Sequence, residues 1–226
     1  MSQKNLLKFN PGCRDCSRLA DFLDQTSIKY PDYHARPVAP FGDDNAHLLI
    51  VGLAPGMHGA NATGRPFTGD YAGILLYQTL FEFGFSNQPE SVSLDDGLQL
   101  QDCRITNAVK CLPPQNKPQL NEVKNCNRYL GAELDGLPDP AVIIALGKIA
   151  HDAVLRAMGL RLSAFPFGHA RVHAPVANRL MIDSYHCSRY NTQTRRLTAA
   201  MFGNVFSLAR EALDVGKQPV SIRGGG

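Results

Sequence analysis

Four short segments rich in apolar and branched side chains are spread along the chain, and they predict buried strands. They are residues 48–51, 103–106, 141–147 and 180–184. Helix-like apolar spacing follows them, over residues 74–83, from about 121, over 148–158 and from about 194 to 213. Strands that alternate with helices predict a parallel sheet between helical layers. The expected fold class is therefore α/β, a three-layer α/β/α sandwich with a central, mainly parallel sheet of about four strands, which residues 171–173 would extend.

A glycine-rich segment, GLAPGMHGANATGRPFTGD, follows the first strand from residue 52 to residue 70. It has neither the GxxxxGK[ST] spacing of a P-loop nor the GxGxxG spacing of a dinucleotide-binding turn. Loops at the carboxyl ends of buried strands are where α/β sheets bind ligands. Long irregular loops in compact domains are usually functional. We therefore expect a binding site here, with Phe67 and Asp70 at the far end of the segment.

Polar side chains also follow two of the other strands, Asn107 after the second and His186 after the last. Because parallel strands end at one edge of a sheet, Asp70, Asn107 and His186 are expected to line one cleft. Each residue alone has a plainer interpretation. Asp70 could cap the next helix, Asn107 could be a turn residue, His186 a surface imidazole and Phe67 a core side chain. Their joint placement favours a site.

Length and composition describe one ordinary globular domain. The chain has 226 residues, of which 44% are hydrophobic and 19% charged, with a formal net charge of +3. That charge is too small to establish a nucleic-acid partner, and no apolar run has the length of a membrane span or of a signal-peptide core. We expect a single cytoplasmic domain over residues 1–226, with a flexible tail from 215. The polar segment around Arg189, Arg195 and Arg196 suits phosphate contacts or a solvated loop equally.

Six cysteines in a cytoplasmic protein are more often metal ligands than disulfides. Cys13 and Cys16 form a CxxC pair, whereas Cys111 and Cys126 flank a proline-rich segment far along the chain. This irregular spacing fits an iron–sulfur cluster about as well as zinc, and the alternative is four buried thiols. Cys103 lies within a strand and Cys187 beside His186, so both are left out of the ligand set.

Three segments resemble one known family. GLAPG…GRPFTGD, ITNAVKCLPPQNKP and HCSRYNTQTRRLT are closely similar to motifs of the family-five, B-type uracil-DNA glycosylases, an iron–sulfur branch of the uracil-DNA glycosylase superfamily. The similarity runs from about Cys13 to Leu208 and keeps the motif order. It implies a [4Fe–4S] cluster on Cys13, Cys16, Cys111 and Cys126, with residues 1–30 and 111–126 packed around it, and so decides against zinc.

The same resemblance implies a monofunctional DNA glycosylase that starts base excision repair. It would act as a monomer on double-stranded DNA, flip uracil or another deaminated base such as hypoxanthine into a pocket, and hydrolyse the glycosidic bond. Phe67 would stack on the base, Asn107 would read its polar edge, and His186 would donate towards the pyrimidine O2. Asp70 would activate water and stabilise the sugar cation. The implied pocket backbone is Gly52, Leu53, Ala54 and Gly56, and the implied DNA-binding residues are Ser188, Arg189, Asn191 and Arg195.

Two positions qualify this interpretation. Many relatives in the superfamily place a carboxylate or amide at the position of Leu53, whereas an apolar residue there is usual for family five. The catalytic carboxylate must then lie elsewhere, and base selection should be less strict. The last motif commonly reads His-Pro-Ser, whereas Cys187 follows His186 here, which predicts a more mobile loop. Two alternatives stay open: a damaged-base recognition protein with weak or no cleavage, and an iron–sulfur electron carrier. Lys110 is the lysine to check for a Schiff-base mechanism.

Overall fold

A six-stranded sheet lies at the centre of the chain, and the computed structural model describes residues 9–217 around it. Its strands are β1 (Phe41–Gly42), β2 (Leu48–Gly52), β3 (Cys103–Asn107), β4 (Ala141–Leu146), β5 (Val172–Val176) and β6 (Arg179–Ser184). They are arranged in the order β1-β3-β2-β4-β6-β5. The four inner strands pair in parallel, and β1 and β5 pair antiparallel at the two edges. The four predicted strands therefore form the parallel centre of the sheet.

Helices cover both faces of this sheet. They are α1 (Ser17–Lys29), α2 (Ala60–Thr63), α3 (Tyr71–Glu82), α4 (Leu120–Gly136), α5 (Lys148–Ala157), α6 (Arg189–Gln193) and α7 (Ala199–Lys217). Short 3-10 turns occur at Pro114–Asn116 and Leu162–Ala164. Within the described part of the chain, no helix combines the length and the apolar character that crossing a membrane requires.

Alternation along β2 explains the two hydrophobic cores. Leu48 and Ile50 belong to one core, which contains the apolar faces of α3 and α7. Leu49 and Val51 point to the other face and pack in a core with α1, α4 and α5. Successive side chains of a strand point to opposite faces, so a strand covered on both faces reads as a continuous apolar run. The expected α/β sandwich is confirmed.

Two element boundaries and the number of strands differ from the expectation. The helix predicted from about Thr194 begins at Ala199, because the preceding segment forms the separate short helix α6 and then turns, with Arg195 at a φ of 56°. The sheet has six strands where about four were expected; the prediction that residues 171–173 extend it is confirmed by β5, and β1 is the strand that was not predicted. The predicted tail from residue 215 starts within α7, which extends to Lys217. The rest of that tail, and the first eight residues, lie outside the described residues.

Candidate active site

A cleft of about 880 Å³ opens at the carboxyl edge of the sheet. Nine of the residues predicted for the site line it: Leu53, Ala54, Gly56, Phe67, Asp70, Asn107, His186, Ser188 and Arg189. The parallel register explains this convergence, since Gly52 at the end of β2 pairs with Asn107 at the end of β3. His186 follows β6, which lies on the opposite side of β2 from β3, with β4 between β2 and β6. The expectation that these strand ends share one cleft is confirmed by the geometry.

Phe67 and Asn107 lie together in the cleft, both against Gly52. Both are nearly buried, and Gly52 lies directly against them. A Cβ on Gly52 would come within 2.4 Å of Asn107 Oδ1 and 2.6 Å of Phe67 Cζ, so only glycine leaves room for the two side chains. Asn107 Oδ1 is buried and has no hydrogen-bond partner. A buried acceptor without a partner is costly, so this oxygen is suited to receive an N–H from a bound molecule.

Asp70 uses its two carboxylate oxygens differently. Oδ1 accepts a hydrogen bond of 3.0 Å from the backbone N–H of Gly73 and caps α3. Oδ2 faces the glycine-rich loop, where a Cβ on Gly59 would lie 2.5 Å from it. Burial raises the pKa of Asp70, and the backbone N–H groups of Gly73 and Ala72 oppose part of that rise. The cap interpretation and the site interpretation of Asp70 are therefore compatible.

His186 lines the cleft beside Phe67. Its ring lies 5.9 Å from the Phe67 ring, with an angle of 27° between their planes. Burial lowers the pKa of His186 to about 4, because the pocket disfavours the imidazolium form. The ring is therefore neutral at physiological pH and carries one N–H that it can donate.

Two side chains of the segment after His186 point into the protein. Cys187 is fully buried in the core that contains α3 and α7. Asn191 points back into the protein, where its Nδ2 donates to the His186 carbonyl oxygen at 2.8 Å. This bond, together with the Ser188 side-chain cap of α6, fixes the loop that the absence of proline was expected to loosen.

Tyr190, rather than Asn191, projects from this segment. Its side chain is 71% exposed, and the neighbouring Arg189 guanidinium lies 6.0 Å from the Tyr71 ring at the mouth of the cleft. Asn191 and Arg195 do not line the cleft. The order of residues in HCSRYNTQTRR could not predict which side chains point outward, because that depends on where α6 begins and ends.

Several residues that line the cleft were not predicted. They are Met57, His58, Gly59, Ala60, Tyr71, Ala72, Asn116, Leu146, Gly147, Lys148 and Ile149. Gly147, Lys148 and Ile149 follow β4, so the rule that pointed to the ends of the other inner strands could have found them. Asn116 reaches the cleft because it and Gln115 both adopt the left-handed conformation, and no sequence pattern indicated that conformation.

A buried hydrogen-bonded group supports the strand that ends at His186. Asp183 in β6 accepts from His151 Nδ1 at 2.7 Å and binds His173 Nε2 at 2.9 Å. Its Oδ2 also accepts from the backbone N–H of Gly168 at 3.2 Å. These contacts tie α5, β5 and the segment before β5 to β6, just before the strand leads into the cleft.

The four predicted ligand cysteines lie together on the α1 and α4 side of the sheet. Burial raises the pKa of the Cys111 thiol, and the other three cysteines add to that rise, which shows their proximity. Donors reach three of the sulfurs: Lys110 N lies 3.5 Å from Cys126 Sγ, Asn125 Nδ2 3.5 Å from Cys16 Sγ, and Arg128 Nη2 3.7 Å from Cys13 Sγ. Such N–H groups suit thiolates that ligate a cluster.

The four cysteine sulfurs are not drawn together as they would be around one bound ion. Among the described residues, no three of them lie within 4.8 Å of one another. Four thiolates on one zinc ion would lie only ~3.8 Å apart, given a Zn–S distance of ~2.3 Å and tetrahedral geometry.

Comparisons with known proteins identify the family of this chain. A family model described as the uracil DNA glycosylase superfamily matches residues 39–210. The type-5 uracil-DNA glycosylase of Thermus thermophilus is 44% identical over 215 residues, covering 93% of this chain and 98% of that protein. The type-5 enzyme of Pyrobaculum aerophilum is 42% identical, covering 90% of this chain and 89% of that protein. A type-4 uracil-DNA glycosylase of Archaeoglobus fulgidus is 32% identical over 67% of this chain and 62% of that protein. The chain therefore belongs to the uracil DNA glycosylase superfamily, among its type-5 members.

Proposed function

We propose that this protein hydrolyses the N-glycosidic bond of uracil in DNA and so starts base excision repair. The observation that carries the proposal is the unpaired Asn107 Oδ1, buried beside the Phe67 ring at the bottom of the cleft. Uracil offers an N–H donor next to a carbonyl acceptor on one edge, and the Asn107 amide offers an acceptor next to a donor. A base stacked on Phe67 would satisfy the buried oxygen.

Hypoxanthine presents the same pair of groups, an N–H next to a carbonyl, to the Asn107 amide. The apolar Leu53 at the cleft adds no further polar group that would reject a purine. We therefore include hypoxanthine among the proposed substrates. Its rate relative to uracil depends on how well the larger ring fits beside Phe67.

His186 is proposed to stabilise the departing base. As the bond between the sugar C1′ and the base nitrogen breaks, its electron pair goes to the base and negative charge develops on the pyrimidine O2. A neutral imidazole that donates N–H to this oxygen stabilises the charge without being a strong acid. The lowered pKa of His186, caused by burial, supports this neutral form.

Asp70 is proposed to act on the other side of the reacting bond. Its Oδ2 lies in the cleft next to the glycine-rich loop, so an ionised carboxylate there can stabilise positive charge on the sugar. It can also accept a proton from the water that adds to C1′. The products are then the free base and an abasic site in an intact strand.

The lysines near the site support a monofunctional reaction. Lys110 Nζ is buried and lies 2.6 Å from Glu133 Oε1, away from the cleft lining. Lys148 lines the cleft, but Asp152 holds its ammonium group at 2.6 Å. An ammonium group paired with a carboxylate is a poor nucleophile for Schiff-base formation.

Tyr190, next to the Asn191 expected to bind DNA, is proposed to enter the duplex when the base flips. A protruding ring can stack on the bases that remain, while Arg189 and Ser188 contact the phosphate backbone. Double-stranded DNA is therefore the proposed partner. The monomer is the proposed active unit, working in the cytoplasm.

Cys13, Cys16, Cys111 and Cys126 are proposed to hold a [4Fe–4S] cluster. The cluster would cross-link the segment before α1 to α4 and to the proline-rich segment that follows Asn107. We propose a structural role for it, because Cys111 lies only four residues after Asn107 and fixes the chain that leaves the base pocket.

The decisive experiment measures free base released from duplex oligonucleotides that contain uracil or hypoxanthine. Asn107→Ala should lower single-turnover release by about 100-fold, because a donor and an acceptor to the base are both lost. Asn204→Ala, at an exposed position of α7, is the matched control and should be unaffected. Selective binding of uracil-DNA by wild type without release would instead identify a recognition protein. Reversible redox cycling without any preference for damaged DNA would identify an electron carrier.

A further inference from the structure

Phe67 has a backbone conformation that a bulky aromatic residue adopts only when its surroundings enforce it. Its φ is 54°, in the left-handed region, and its side chain is nearly buried. Such conformations are strained and tend to be kept at ligand-binding positions. The residues that hold Phe67 therefore bear on how it meets a base.

One set of contacts comes from α3. The Tyr77 hydroxyl donates to the Pro66 carbonyl oxygen at 2.8 Å. Gly73 lies directly against Phe67, since a Cβ there would be 1.8 Å from the Phe67 carbonyl oxygen. These contacts fix the backbone on one side of the ring.

A second set comes from residues 87–98, which we term the 87–98 loop. Arg65 is 2% exposed, and its Nη1 donates to Asp96 Oδ1 at 2.7 Å and to Ser91 Oγ at 3.0 Å. Its Nη2 donates to the Leu94 carbonyl oxygen at 2.6 Å. The guanidinium also lies 4.5 Å from the centre of the Phe41 ring. Arg65 is therefore attached to this loop by three hydrogen bonds, two residues before Phe67.

Asp96 organises the loop itself. Besides Arg65, it accepts backbone hydrogen bonds from Val92 at 2.7 Å, Ser93 at 3.1 Å and Leu98 at 3.0 Å. Burial would raise the pKa of Asp96, but Arg65 and these backbone donors outweigh it and hold that pKa well below its ordinary value. Ser91 completes the connection, since its hydroxyl lies 2.7 Å from Thr68 Oγ1, on the other side of Phe67.

We propose that Arg65 and Asp96 are positioning residues for base recognition. They hold the Phe67 ring at the angle at which a flipped base stacks on that ring and reaches the Asn107 amide. The inference rests on the proposed glycosylase function and extends it. Neither residue lines the cleft, so neither touches the base. The 87–98 loop thereby becomes part of the recognition apparatus, although it follows α3 as an irregular surface segment.

A double-mutant cycle separates positioning from general stability. Asp96→Asn should lower single-turnover uracil release by about tenfold in the wild-type background and by less than about twofold in a Phe67→Leu background. Asn87→Ala is the matched control, because it removes bonds to Gly97 O and Gln99 N within the same loop but leaves Arg65 bound. It should leave the rate unchanged. Equal losses from Asp96→Asn in both backgrounds would overturn the proposal.

A second variant and a second readout keep the test independent of folding and of activity. Ser91→Ala removes contacts to Arg65 and Thr68 while retaining Asp96, and it should give a smaller loss with the same dependence on Phe67. With fluorinated phenylalanine, the ¹⁹F resonance assigned to Phe67 should shift or broaden in Asp96→Asn but not in Asn87→Ala. An unchanged Phe67 resonance in Asp96→Asn would refute the positioning role. Absence of base release by wild type would refute the proposed function instead, and the resonance would still report on Phe67.

Discussion

Gly59 determines where the carboxylate of Asp70 can lie, which makes Gly59→Ala a sensitive test of the proposed chemistry. The added Cβ would come within 2.5 Å of Asp70 Oδ2, 2.8 Å of its Cγ and 2.7 Å of its Cβ. Non-bonded carbon and oxygen atoms normally stay ~3.4 Å apart or more, so the carboxylate must move by about 0.9 Å. A displacement of about 1 Å at a catalytic group can cost about 100-fold in rate.

We expect Gly59→Ala to lower single-turnover uracil release by about 100-fold at neutral pH and to leave the affinity for uracil-containing duplex within about threefold. Gly56→Ala provides a graded comparison, because its Cβ would meet Asp70 Oδ2 at 3.3 Å and requires a shift of only a few tenths of an ångström. Gly131→Ala in α4 is the control, with the nearest atom at 4.0 Å, and should retain full activity.

The comparison with Asp70→Asn decides what a negative result means. If Gly59→Ala retains the wild-type rate while Asp70→Asn loses it, the steric argument is wrong. If both retain the rate, Asp70 is only a helix cap. If the duplex affinity of Gly59→Ala falls as much as its rate, the methyl group blocks the base rather than displacing the carboxylate.

Three further predictions follow from the site. Burial raises the pKa of Asp70, so the ionised carboxylate destabilises the folded protein at any pH above that raised pKa. Asp70→Asn keeps a cap acceptor and should therefore raise Tm at neutral pH. The gain in Tm should disappear as the pH falls through the raised pKa towards the ordinary aspartate value, and a gain that stays constant across that range would contradict the prediction. Cys126→Ser should remove the iron of the proposed cluster, and with it the visible absorption of the purified protein, and should lower Tm. Retention of the wild-type iron content would exclude Cys126 as a ligand. Tyr190→Ala should slow uracil release from duplex DNA by about tenfold through lost stacking, with little effect on a single-stranded substrate. Equal effects on both substrates would contradict the insertion of Tyr190 into the duplex.

The sequence predicted the parts of the fold that depend on local patterns. The inner strands were recognisable because burial on both faces produces unbroken apolar runs such as AVIIAL in β4. The two-residue β1 carries no such run, and β5 has a mostly exposed pattern, so neither could be predicted with the same rule. The start of α7 was misplaced because a side-chain cap at Ser188 and a left-handed Arg195 divide the segment. Serine is a common N-cap residue, whereas a positive φ at an arginine carries no sequence signal.

The candidate site was predictable for a related reason. Strand ends in a parallel sheet converge, so Asp70, Asn107 and His186 could be placed together before their distances were known. The contact between Arg65 and Asp96 spans 31 residues and follows no helical or strand period, which is why no pattern indicated it. The inward turn of Asn191 was likewise invisible, because its partner is a backbone carbonyl oxygen rather than another side chain.

The bond between Asn191 and the His186 carbonyl has a consequence for how this motif can vary. A proline after the histidine would restrain the backbone through its own ring, so one residue would both stiffen the loop and occupy the core position. Here the two tasks are divided: an amide four residues away from Cys187 restrains the backbone, and the thiol at 187 fills the core position. Position 187 is thereby released from a conformational duty, and the backbone of His186 is held from a neighbouring turn of helix.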